Sequence, residues 1–151
     1  MYYWNTHQLA RDIKSNRVSA PEWKHYFIGV TLLGTVTWYV SFISTNTSTL
    51  GVLYELAISI IIFLWGIQKT YLTNLGDDGF DYVCRMIALA FPLYFKAMVY
   101  LAIFITSIEF TVGVMSFSSH TIEWLYTTIA LSIQAMIFIR IDYHLAFINN
   151  P

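Results

Sequence analysis

Every Lys and Arg of this chain falls in one of three stretches, and each of the two gaps between them is long enough to hold two membrane crossings of about 20 residues. Arg11, Lys14, Arg17 and Lys24 precede the first gap; Lys69, Arg85 and Lys96 lie between the gaps; Arg140 follows the second. Loops rich in Lys and Arg stay on the cytoplasmic side. The pattern therefore predicts an all-α integral membrane protein with four transmembrane helices. Both termini are expected to be cytoplasmic, with two short outer connections that carry no positive charge.

Composition agrees. Of 151 residues, 57% are hydrophobic and 11% charged, against about 25% charged in soluble domains. Four spans use about half the chain, leaving no room for a soluble enzyme domain. The cations are strung thinly along one boundary, not gathered in the basic patch that a nucleic-acid partner requires. Cys84 is the single cysteine, so disulfide chemistry that needs paired thiols is excluded. No catalytic motif, metal-ligand spacing or cofactor signature is present, and the chain is not expected to be an enzyme.

The segments follow from capping residues and apolar runs. Asn5 with Gln8 three residues on predicts a helix over about 5–16, placing Leu9 and Ile13 on one face and Arg11, Asp12 and Lys14 on the other. With Tyr2, Tyr3 and Trp4 ahead of it, this helix is expected to lie in the membrane interface. Residues 1–24 lack the short apolar core and small-residue site of a secretory leader, so the first span is expected to be its own insertion signal. Ser19, Pro21 and Glu22 signal that start. The spans are predicted at about 22–44, 50–68, 97–115 and 121–140. Continuous apolar runs, not alternating ten-residue strands, favour helices over a barrel.

The stretch before the third span is ambiguous. Either the span begins near Val83 and carries Lys96 deep into lipid, or 80–95 is an interfacial helix and the span is 97–115. A Lys at the centre of a span costs about 2.5–3.5 kcal/mol on insertion scales, whereas at the boundary it can snorkel. The second alternative is the expected one. It makes Arg85 and Lys96 candidate contacts for anionic lipid head groups.

Acids inside the spans are the candidate functional residues. Glu55 shares a helical face with Ser59 and Gly66; Thr106, Glu109 and Gly113 share another; Glu123, Thr127, Ala130 and Gln134 a third. Convergence of these stripes would make an outward-facing polar pathway through Glu109, Glu55, Glu123, Thr106 and Gln134, with His120 at its rim, suited to cations or protons. The competing account is that small and hydroxyl residues let membrane helices pack closely. Glu109, the deepest acid, is the principal functional candidate.

Four helices have few interior positions with which to enclose a path. The chain is therefore expected to act by oligomeric assembly in a bacterial-type inner membrane, with lipid and either further copies or a second membrane protein as partners. Two functions fit: an ion or small-solute conduit, including an effector that depolarises the cell in a defence system, or an immunity, anchor or accessory subunit without transport activity.

Overall fold

The structure, a computed structural model, describes residues 2–43, 49–76, 81–115 and 119–150; the side chains at 20, 35–36, 38–43, 108–115 and 119–120 lie outside that description. Five helices make up the described chain: α1 (Thr6–Lys14), α2 (Ala20–Ile43), α3 (Thr49–Thr73), α4 (Tyr82–Met115) and α5 (Ser119–Asn149). Among the described residues there is no strand.

Local chemistry explains the helix ends. The Asn5 side chain accepts the Gln8 N–H at 3.0 Å and starts α1. At the other end Asn16 takes a left-handed conformation, φ 52°. Its N–H donates to the Ile13 carbonyl and that of Arg17 to Asp12, the paired closure that an Asn or Gly just past a helix provides. For α2, Glu22 reaches back to accept from both the N–H and the hydroxyl of Ser19, at 2.9 and 3.0 Å. That is the expected start signal, with the acid over the positive helix end.

Three described segments are long and apolar enough to cross a membrane: Thr49–Thr73, Tyr82–Ser107 and Thr121–Asn149. Near the C-terminal end of α2, side chains 35–36 and 38–43 lie outside the description. With 24 residues this helix is about 36 Å long, enough for a hydrocarbon core of about 30 Å.

The principal pairings run in a row, α2 on α4, α4 on α5 and α5 on α3, while α1 lies across α4 and α5. Thus α2 and α3, neighbours in sequence, stand at opposite ends of the row. Glycines set two of the contacts. A β-carbon at Gly29 would fall 2.3 Å from the Phe91 ring and one at Gly66 would fall 2.2 Å from Phe138, so each aromatic ring seats directly on backbone.

Two features of the cationic end were not anticipated. The separate interfacial segment over 80–95 does not exist as an element of its own: the backbone continues as one 34-residue helix from Tyr82 to Met115, through Pro92. A proline inside a helix removes one backbone bond and costs about 3 kcal/mol. Here Ala88, Leu89, Phe91 and Pro92 are buried in protein, and that packing holds the helix together across the defect. Likewise α1 does not spend its apolar face on lipid. Leu9, Ala10 and Ile13 are buried in one core with Tyr26 of α2, Ala88 and Leu89 of α4, and Ile141, Leu145 and Ile148 of α5. α5 itself runs on from the predicted end at 140 to Asn149, because its last turns supply the wall against which α1 packs.

Candidate functional site

The polar residues of α3 and α5 meet along one seam. The two helices run parallel, and residues at heptad-like spacing face one another down their length. Nearest their starts, the Thr127 hydroxyl approaches Glu55 Oε2 at 3.5 Å. Next, Ser59 and Gln134 bond twice: the Ser59 hydroxyl donates to Gln134 Oε1 at 2.8 Å, and Gln134 Nε2 donates to the Ser59 carbonyl at 3.2 Å. Below the Gly66–Phe138 contact, Asp142 accepts from Thr73 Oγ1 at 2.5 Å and pairs with Lys69 at 3.3 Å.

The seam closes in a knot that also ties in α4. Arg85 Nη1 donates to Asn74 Oδ1 at 3.1 Å and to Asn149 Oδ1 at 2.9 Å. Asn149 Nδ2 in turn donates to the Thr73 carbonyl at 2.9 Å. Tyr82 of α4 joins the same end through a hydroxyl contact with Thr70 at 2.8 Å. Asn74 is fully buried; the Arg85 contact answers one of its polar atoms where water does not reach.

The structure thus distributes the sequence candidates as follows. Glu55 and Gln134 enter the α3/α5 seam, and Glu123 lies one turn before Thr127 on α5, half-buried. Thr106 is exposed, its hydroxyl donating to the Ala102 carbonyl of its own helix at 2.9 Å. Glu109 is on α4, with its side chain outside the described residues, as is the side chain of His120. Arg85 bonds Asn74 and Asn149 through Nη1.

A cavity of about 450 Å³ opens between α2, α4 and α5, lined chiefly by Val30, Leu33, Met98, Leu101, Ile133 and Ile137, with Thr37, Tyr94 and Gln134 as its polar groups. Thr37 donates to the Leu33 carbonyl at 2.9 Å and meets Met98 Sδ at 3.5 Å. The cavity is therefore mostly apolar, with the Thr37 hydroxyl turned back on its own helix.

Sequence reasoning missed the docking of the N-terminal segment. Tyr3 and Trp4 sit edge-on against Phe91, Phe95 and Tyr100 of α4. The Tyr2 N–H donates to the Tyr26 hydroxyl at 2.9 Å, and the Tyr2 hydroxyl bonds Asp12, whose carboxylate holds the phenol above its usual range. Lys14 donates to the Phe147 carbonyl at 3.3 Å and to that of Asn150, neutralising the negative end of α5. The aromatic run at 2–4 was the available signal: it packs on α4 while Tyr3 and Trp4 stay about half exposed.

Lys96 occupies the groove that this docking creates. Its ammonium donates to Thr6 Oγ1 at 3.2 Å and lies 5.7 Å from the centre of the Trp4 ring. The adjacent residue of α1, His7, has its ring 6.2 Å from that of His144. His144 is only 7% exposed, and its Nδ1 is buried without a hydrogen-bond partner among the described residues. Such an orphan costs about 1–3 kcal/mol.

No family model matches the chain, and neither does any curated protein or solved structure.

Proposed function

We propose that this chain is a four-span protein of the inner membrane, with both termini cytoplasmic, that acts by assembling with further copies of itself or with a second membrane protein. Any ion or small-solute path that it forms lies between chains, not within one. The observation that carries this reading is the way α3 and α5 use their polar residues. Ser59, Gln134, Thr73, Asp142, Asn74 and Asn149 bond one another across the seam, and the cavity between α2, α4 and α5 is lined mostly by apolar side chains. Among the described residues, that arrangement offers water no continuous polar wall within one chain.

The ends of the row supply surface for assembly. On α3, Leu53, Leu56, Ile60, Phe63 and Leu64 form an exposed apolar face at the spacing of one helical side, suited to lipid or to another helix. A second reading, an immunity, anchor or accessory subunit without transport activity, is favoured by Glu55. Its carboxylate approaches Thr127 inside the seam, so this acid contributes to packing. Purified protein in liposomes, with a potential-sensitive dye across a potassium gradient, separates the two. For a conduit, wild-type protein dissipates the potential and Glu109→Gln changes the rate while the assembled mass is kept. Liposomes no leakier than empty ones, with the assembly confirmed in the same sample, establish the partner-binding reading.

A further inference from the structure

Two positive charges, Lys96 and Arg140, have no carboxylate partner among the described residues. Lys96 bonds only a hydroxyl and an aromatic face, and Arg140, exposed on α5, lies one turn from His144. Among the described residues no carboxylate stands within salt-bridge distance of either cation. Thr6 and His7 are consecutive residues of α1. The first holds Lys96 of α4 and the second faces His144 of α5, so α1 gathers side chains from two helices into one place. Lys96 is thus bonded to the residue next to the one that faces His144, and Arg140 stands one turn before His144 on the same side of α5.

We infer that Lys96, Arg140 and His7, grouped around the buried ring of His144, form a binding site for an anionic phosphate group. The site rests on two independent observations: a cation held in place by Thr6 and Trp4, with a second one turn from His144 and no acid within salt-bridge distance of either among the described residues, and a ring more than nine-tenths buried with an unsatisfied nitrogen. A phosphate presents several acceptor oxygens and accepts charge-assisted bonds from Lys, Arg and His together. Trp4 beside Lys96 gives the site an aromatic rim of the kind found at membrane interfaces. Arg85, the other cation of that region, is excluded by its bonds to Asn74 and Asn149.

The phosphate belongs either to an acidic phospholipid or to a free anion, and one experiment distinguishes them. The full chain in a neutral detergent is titrated with dioleoylphosphatidylglycerol, with dioleoylphosphatidylcholine and with inorganic phosphate, following thermal stability and bound mass. Preferential stabilisation by the acidic lipid identifies a head-group site; equal stabilisation by inorganic phosphate identifies a free-anion site; both support the inference. Lys96→Gln and Arg140→Gln are each expected to weaken binding by about fivefold or more. Lys96→Arg retains binding and Arg17→Gln leaves it unchanged. If Lys96→Gln fails to fold, Arg140→Gln carries the test, because Arg140 is exposed. Wild-type protein that responds alike to acidic and zwitterionic lipid and ignores phosphate overturns the site. So does full-affinity binding by Arg140→Gln.

Discussion

Gln134 on α5 and Ser59 on α3 hold each other by two hydrogen bonds, one side chain to side chain and one side chain to backbone, at 2.8 and 3.2 Å. The pair sits between the Glu55–Thr127 approach and the Gly66–Phe138 contact, where both helices are otherwise apolar. In such surroundings a polar side chain is retained only with its partner in place. Interhelical bonds of this kind contribute about 0.6 kcal/mol on average and up to about 1.7. Ser59→Ala and Gln134→Ala are expected to lower stability by that order each. The double variant should lose less than the sum, measured by reversible unfolding in mixed micelles. Strict additivity would mean that the two residues act separately.

Gly66 and Gly34 make a contrast within one experiment. A β-carbon at Gly66 falls 2.2 Å from Phe138, while at Gly34 it meets nothing within 4 Å. Gly66→Ala should therefore destabilise by about 1–3 kcal/mol through overpacking. Gly34→Ala should be neutral or mildly stabilising, since alanine is the better helix former by about 1 kcal/mol. Thermal melting of both variants checks this. Equal effects would remove the close α3/α5 approach from the account.

Release of α1 should be separable from unfolding of the bundle. Leu9 is fully buried, and Leu9→Ala is expected to cost about 2–5 kcal/mol, spent first on the local docking of the helix. Limited trypsin digestion should then cut at Arg11, Lys14 or Arg17 much faster than in the wild type. The remaining helices should keep their circular dichroism. Unchanged cleavage would place Leu9 in no more than a surface contact.

The charge gaps, the helix starts at Asn5 and Ser19, and the stripes carrying Glu55, Ser59, Gly66, Thr127 and Gln134 were legible from residue type and spacing, because caps and helical faces are local properties. The pairing of those stripes was not legible. That α3 meets α5 and not α2 depends on which glycine faces which ring, Gly66 with Phe138 and Gly29 with Phe91, and spacing along one helix carries no information about another. Pro92 and Lys96 misled for a related reason. Each looks like an interruption in lipid; Pro92 is buried in protein and Lys96 bonds Thr6 of α1, whose apolar face gave no sign of whether protein or membrane would cover it. The aromatic run at 2–4 and Thr6 are the residues that decide it.

Orientation follows from native and introduced cysteines. Cys84 is exposed near the start of α4, on the side that the Lys and Arg pattern assigns to the cytoplasm. An impermeant thiol reagent on intact cells should leave it unlabelled until the membrane is permeabilised. Cysteines placed at Ser48 or Ser118 in a Cys84→Ser background should react at once. Labelling of Cys84 from outside would reverse the topology; protection of Ser48 alone would remove the first outer loop and with it the four-span count.

Assembly is tested most directly by mass. The protein is extracted from its own membrane into native nanodiscs, without passing through detergent, and the particle mass is measured together with its protein composition. The account predicts particles holding two or more copies of the chain, or one chain with a second membrane protein in fixed ratio, unchanged on dilution. Particles that hold a single chain and no other protein, from a preparation in which Ser59 and Gln134 still stabilise one another, would contradict it.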